Sequence, residues 1–225
     1  MSNKNNLRSR FKKFGGVEIP DVIEYIKDYI NKKPMATITV GCDSIQKRRK
    51  TTYAITIMMY NNDIRNGAHV VYFTESQKKI RDNQERLYKE AQYTYDIGTY
   101  LDEELSSFYK RRDLSDYEKK KYKYHLLKCK GEYSYVLPHL EENIIDNLKI
   151  ESTDNSEFKA VDIHVDFNPF EGTMNDKGVY KNKSYQAYKS YVPWLRGVGF
   201  RTWAKPNSYA ATSAADLLLK DKLVK

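Results

Sequence analysis

Cysteine is scarce in this chain, and long apolar runs and nucleotide-cradling glycine motifs are missing from it. Two cysteines in 225 residues, Cys42 and Cys129, have neither pairing nor metal-ligand spacing. A disulfide framework is therefore not expected, which suits a reducing cytoplasm, and Cys42 reads as a small buried residue. No apolar run approaches the ~20 residues that a membrane span needs. The polar, basic N-terminus lacks the apolar core of a signal peptide. There is no Walker loop, no dinucleotide fingerprint and no Cys/His cluster; Gly15-Gly16 and Gly197-Val198-Gly199 are isolated pairs. Nothing resembles a nucleophilic Ser or Cys with its base, and there is no internal repeat.

Positive charge and tyrosine are plentiful. Lys and Arg number 39 against 30 Asp and Glu, giving a net charge of +9 and a pI near 9.2. Such a balance favours a polyanionic partner, nucleic acid first and an anionic membrane surface second, beside the plainer reading of a merely basic surface. The Lys-, Asn-, Ile- and Tyr-rich composition is of the kind AT-rich genomes encode, viral ones included, which would place the protein in a host cytoplasm. At about 100–200 residues per domain, one domain with an insertion is expected.

Residues 1–16 read as a basic N-terminal arm, and 17–225 as a single domain. Pro20 opens a helix with Val22, Ile23, Ile26, Tyr29 and Ile30 at helical spacing, and Pro34 ends it. Strands are expected over 36–43, 51–60 and 68–74, with short turns that imply an antiparallel meander. A long helix follows over about 76–108, with Ile80, Leu87, Ala91, Gly98, Leu101 and Leu105 as its stripe. An insertion at about 106–157 is basic and tyrosine-rich. A fourth strand over 160–167, a helix over 180–195, a fifth strand over 200–205 and a last helix capped by Asn207 or Ser208 complete the pattern. That order predicts an α/β fold with a mixed five-stranded sheet flanked by helices.

Asp43 carries the first chemical signal. It ends the run Ala36-Thr-Ile-Thr-Val-Gly-Cys-Asp43, in which Thr37, Thr39, Gly41 and Asp43 share one face of a strand. A carboxylate on such a β-branched strand is costly unless paired, and a divalent metal is one such partner. Asp166 closes a second strand, where ligand sites of α/β sheets lie; a turn-initiating carboxylate is its other reading. His164 reads as a hydrogen-bonded strand histidine beside the site, and Asp162 lies too far back. Asp216 sits on an alanine-rich helix that can approach a sheet closely, sharing its face with Tyr209, Thr212, Ser213 and Lys220 opposite a packing face of Ala210, Ala214, Leu217 and Leu218. An exposed helix aspartate is its alternative. On the long helix Glu90 lies at the shoulder of the apolar stripe and Glu85 opposite it, so Glu90 is the fourth candidate.

Carboxylates converging without Cys or His favour Mg²⁺ or Mn²⁺. Two such ions about 3.5–4 Å apart would stabilise the attacking and leaving oxygens of an in-line displacement at phosphorus, with water as nucleophile. Lys47, Arg48, Arg49 and Lys50 form a basic hairpin beyond Asp43. Lys119, Lys120 and Lys121 belong to the basic insertion, whose cations would neutralise phosphates while tyrosines stack on bases. A solvated helical pair with a small tyrosine core is the other reading of that insertion.

The blocks Gly41-Cys-Asp-Ser-Ile-Gln46, Ile163-His-Val-Asp166 and Lys205-Pro-Asn-Ser-Tyr-Ala-Ala-Thr-Ser-Ala-Ala-Asp216, together with Glu85-Arg-Leu-Tyr-Lys-Glu90, resemble the YkuK family of ribonuclease H-like proteins. The resemblance covers most of 17–104 and 158–220. It departs at Cys42 and Ile45, where the family has Thr and Gln. It implies a ribonuclease H-like fold and a metal-dependent nuclease using Asp43, Glu90, Asp166 and Asp216. A non-catalytic nucleic-acid-binding module on the same fold is the alternative, and a basic protein-interaction scaffold the third.

Overall fold

The structure is a computed structural model that describes residues 7–33, 36–61, 68–111, 159–170 and 184–220. In chain order its elements are β1 (Lys12–Lys13), α1 (Val22–Lys32), β2 (Ala36–Lys47), β3 (Lys50–Asn61), β4 (Ala68–Lys78), α2 (Asn83–Arg111), β5 (Asp162–Val165), α3 (Tyr185–Gly197), β6 (Arg201–Trp203), a π-helical segment (Ala210–Ala215) and α4 (Asp216–Lys220). Strands β2, β3 and β4 form the expected antiparallel meander. Strand β5 then runs parallel to β2, and β6 parallel to β5. The sheet order is β1-β4-β3-β2-β5-β6, so β2 lies between the meander and the parallel pair.

Alternation along β2 divides the sheet's two faces. Ile38, Val40 and Cys42 join the main core with Ile55, Ile57, Val71, Ile163 and Val165 under the helices α1, α2 and α3. Helix α1 begins where Asp21 Oδ1 accepts from the amides of Ile23 and Glu24, and it buries Val22, Ile23, Ile26 and Ile30. Each such side chain contributes about 1.5–3 kcal/mol of gross burial. Helix α2 buries Leu87, Ala91, Ile97, Leu101 and Leu105. The opposite face is covered by the C-terminal segment, through a small second cluster of Ala54, Tyr72, Ala215, Leu218 and Leu219.

Several boundaries differ from the sequence reading. The sheet has a sixth strand because Phe11, fully buried, packs edge-on against Phe73 at 4.9 Å and draws Lys12–Lys13 onto the edge of β4. Part of the arm's charge is consequently spent inside the fold: Arg8 pairs with Asp21 and Glu104, and Arg10 with Glu75. The meander strands run longer than their apolar cores because the polar hairpin between β2 and β3 keeps pairing as far as Lys47 opposite Lys50. Ile80, expected on the helix, is buried in the link before it. Helix α2 extends to Arg111, so the helix takes the first residues assigned to the insertion, and 112–157 lie outside the described residues.

Candidate metal centre

The site is built around a close approach at Gly41. A Cβ there would lie 2.5 Å from Ala210 C and Ala211 N, so only glycine lets the C-terminal segment descend onto β2. Thr56, opposite Gly41 on β3, donates its hydroxyl to Ala210 O at 2.9 Å. His164, opposite Gly41 on β5, accepts from Ala210 N with Nδ1 at 3.1 Å. Strands β3 and β5 thus hold one residue, Ala210, over the gap that Gly41 leaves in β2 between them. The imidazole does there what a cap side chain does elsewhere. The expected caps do not: Ser208 Oγ is buried without a hydrogen-bond partner among the described residues, although Ser208 O accepts from Ala211 N and Thr212 N. The wide π turn over Ala210–Ala215 re-phases the helix. Ala211, Ala215 and Leu219 are therefore buried, whereas Leu217, expected on the packing face, is exposed.

This docking sets Asp216 against the sheet. The parallel register ends with Cys42 opposite Val165, and the next residues are Asp43, still paired with Ala54 of β3, and Asp166, just past the end of β5. Asp43 is pushed up to about 7 by burial, then by Asp166 and Asp216. Burial also raises Asp166, with Lys205 opposing it. Glu90 comes from the other face of the sheet. It is pushed up to about 8 by burial and then by Asp43, while Arg86 and Ser44 relieve it. The four acids named from sequence thus share one electrostatic field. Glu85 stands exposed near Lys89, as its helical phase predicts.

Three of the four acids have a cation. Lys205 Nζ lies 2.9 Å from Asp166 Oδ1, and Lys220 Nζ lies 2.7 Å from Asp216 Oδ2. Arg86 Nη1 lies 3.0 Å from Glu90 Oε1, which also accepts from Ser44 Oγ at 2.6 Å. Asp43, in the centre, has no ion pair among the described residues; its Oδ1 accepts from the Ser44 amide at 2.7 Å. The donor set is all oxygen, the chemistry of a hard cation. Among the described residues, no group of three or more His, Cys, Asp and Glu side chains is drawn close enough to hold a metal as placed. Lys205, Lys220 and Arg86 each engage one of the other three acids.

A family model described as "Ribonuclease H-like" matches residues 21–220. The chain belongs to the ribonuclease H-like family. Comparisons with curated proteins and with solved structures find no match. The mixed sheet flanked by helices is consistent with that family's fold. Membership associates the chain with nucleic-acid chemistry.

In this ribonuclease H-like protein His164 is buried and held down to about 4 by desolvation, so it is neutral and serves the helix start. Asp162 lies back along β5, where it accepts from Arg201 Nε at 2.5 Å and Trp203 Nε1 at 3.2 Å. Lys47, Arg48, Arg49 and Lys50 are all exposed in a tight hairpin, with Arg48 at φ 52°. At roughly 3.4 Å per residue, Lys47 stands about 14 Å along β2 from Asp43. Lys119, Lys120 and Lys121 lie outside the described residues. Sequence reasoning missed Ser44, Arg86 and Lys205. The i, i+4 spacing of Arg86 and Glu90 was the available signal for one of them. No helix among the described residues is long and apolar enough to cross a membrane.

Proposed function

We propose that this ribonuclease H-like protein is a YkuK-type nuclease that hydrolyses phosphodiester bonds of RNA, DNA or their hybrid with Mg²⁺ or Mn²⁺. The observation that carries the reading is Asp43: a carboxylate at the centre of four acids, the one without a cation of its own among the described residues. A bound divalent ion supplies charge stabilisation for the attacking and leaving oxygens of an in-line displacement by water. Asp43 from β2, Asp166 from just past β5 and Asp216 from α4 would hold it through carboxylate oxygens, with Glu90 as the fourth acid. Two ions are the number suggested by four converging acids. Lys205 and Lys220, released from their carboxylates, are free to meet phosphate oxygens. The exposed hairpin of Lys47, Arg48, Arg49 and Lys50 holds the backbone of the nucleic acid further along.

The test is Asp43→Asn against wild type on labelled RNA–DNA hybrid, RNA, single-stranded DNA and branched DNA, with Mn²⁺ or with EDTA. Metal-dependent cleavage by the wild type and its loss in the variant are expected. Cleavage of nothing by the wild type, or equal cleavage by the variant, refutes the reading. The second reading, a non-catalytic nucleic-acid-binding module, draws on the three internal cations that already neutralise acids of the site. It predicts binding that persists in EDTA without cleavage of any substrate.

A further inference from the structure

The three cations of the site are not equivalent. The side chains of Lys205 and Lys220 are 44% and 68% exposed, so water can take either ammonium from its aspartate. Arg86 is 20% exposed and its partner Glu90 is 3% exposed. Its Nη1 reaches Glu90 Oε1 at 3.0 Å, Ser44 Oγ at 2.7 Å and Ser44 O at 3.2 Å, while Nη2 reaches Asn83 Oδ1 at 2.9 Å. Glu90 Oε1 is held in turn by Ser44 Oγ. The guanidinium is fixed at both ends of its fork, and a guanidinium keeps its charge at every working pH. The Ser44 side chain points to the face opposite that of Asp43. Glu90 is therefore tied on the α2 side of the sheet, while Asp43 faces the other side.

We propose that Arg86 takes the place of a second divalent ion, so that the site binds one ion through Asp43, Asp166 and Asp216 while Glu90 stays locked to Arg86 and Ser44. The inference rests on the metal-dependent reading above and changes its stoichiometry. The side of the site with exposed lysines yields to an incoming cation, because each lysine can leave for solvent or for a phosphate. The Glu90 side does not, because an ion there would have to strip the buried Glu90 of two partners and leave the half-buried Arg86 with an unpaired charge. Arg86 is on this account a positioning residue, and its charge persists when no ion is present.

Mn²⁺ bound to the full-length chain, counted by equilibrium dialysis with spin-resonance detection of free ion, tests the proposal. One ion per wild-type chain is expected. Glu90→Gln should still bind one ion, with a Kd changed by less than the roughly tenfold that loss even of a group hydrogen-bonded to a metal ligand costs. Arg86→Gln should bind two, returning to one in the Arg86→Gln/Glu90→Gln double variant, and Arg86→Lys should remain at one. Two ions on the wild type, or a large loss of affinity in Glu90→Gln, overturn the inference and leave the nuclease reading standing. No ion on the wild type overturns both. If Arg86→Gln fails to fold in a thermal scan, the wild-type count and the Glu90→Gln affinity still decide.

Discussion

Replacing Asp43 with Asn should make the metal-free protein more stable at neutral and alkaline pH. In the unfolded chain the carboxyl ionises near its ordinary value of 3.8, whereas in the fold it ionises at about 7. Below pH 4 both states hold the proton, and Asp43 contributes no difference. Between pH 4 and 7 the native state retains a proton that the unfolded chain has released, so stability falls as pH rises, and the whole penalty is present by pH 8. A difference of that size corresponds to roughly 4 kcal/mol at 1.36 kcal/mol per pK unit. Part of it is held jointly with Asp166 and Asp216. Relief of about half, ~2 kcal/mol, is the working expectation, or about 4–8 °C in Tm for a chain of this size. Asn keeps the acceptor for the Ser44 amide, so the local hydrogen bond survives the change. The readout is the difference between variant and wild type, because His164, lowered to about 4, gives the wild type an opposite slope over pH 4–6.5. Thermal unfolding at pH 5 and pH 8 in EDTA should show the advantage of Asp43→Asn growing with pH. Addition of Mn²⁺ should reverse the order at pH 8, since ligand stabilises the state that binds it. A variant less stable than wild type at pH 8 in EDTA, or equal Mn²⁺ stabilisation of both, would refute the argument.

Three further outcomes follow from the same geometry. Gly41→Ala places a methyl group 2.5 Å from the backbone of Ala210 and Ala211; it should cost about 1–3 kcal/mol by overpacking and weaken Mn²⁺ binding through displacement of Asp216, both measurable in one calorimetric series. His164→Ala removes the acceptor for Ala210 N and should cost about 1–3 kcal/mol at pH 8. That deficit should shrink as pH falls from 6.5 toward 4, where burying the neutral imidazole burdens the wild type. Neutralising Lys47, Arg48, Arg49 and Lys50 together should flatten the log–log salt dependence of nucleic-acid binding by about 3–4, leaving Tm nearly unchanged because all four are exposed.

The fold was legible where one physical signal dominated. Alternation in β2 placed Gly41 and Asp43 on one face and Val40 and Cys42 on the other, and the meander follows from short polar turns. Helical phase separated Glu90 from Glu85 because α2 is regular over the relevant turns. The C-terminal segment defeated the same method: its π turn shifts the phase, so Leu217 was assigned to the packing face and Leu219 was not. The first strand was hidden because Lys12 and Lys13 carry no strand pattern of their own; the buried ring of Phe11 places them. The cations of the site were hidden for a different reason. Lys205 looks like an ordinary surface residue in sequence, and only the convergence of separate elements gives it a carboxylate; Arg86 has Glu90 one turn along its own helix, but Ser44, which completes that contact, comes from β2.

Among the described residues, Asp216 is carried on the side of the sheet with the smaller apolar cluster. Its side of the sheet relies on Ala54, Tyr72, Ala215, Leu218 and Leu219, with Phe14 and Ile45 at the margin, whereas the other side has the main core. Segments with few buried contacts open locally at a fraction of the global free energy. The C-terminal segment should therefore exchange its amide hydrogens well ahead of β2 and α2, and repulsion between Asp216 and Asp43 hastens that opening. A cation shared by the two would close the segment as a latch. Ion occupancy then becomes readable far from any chemistry, as slowed amide exchange across 211–219.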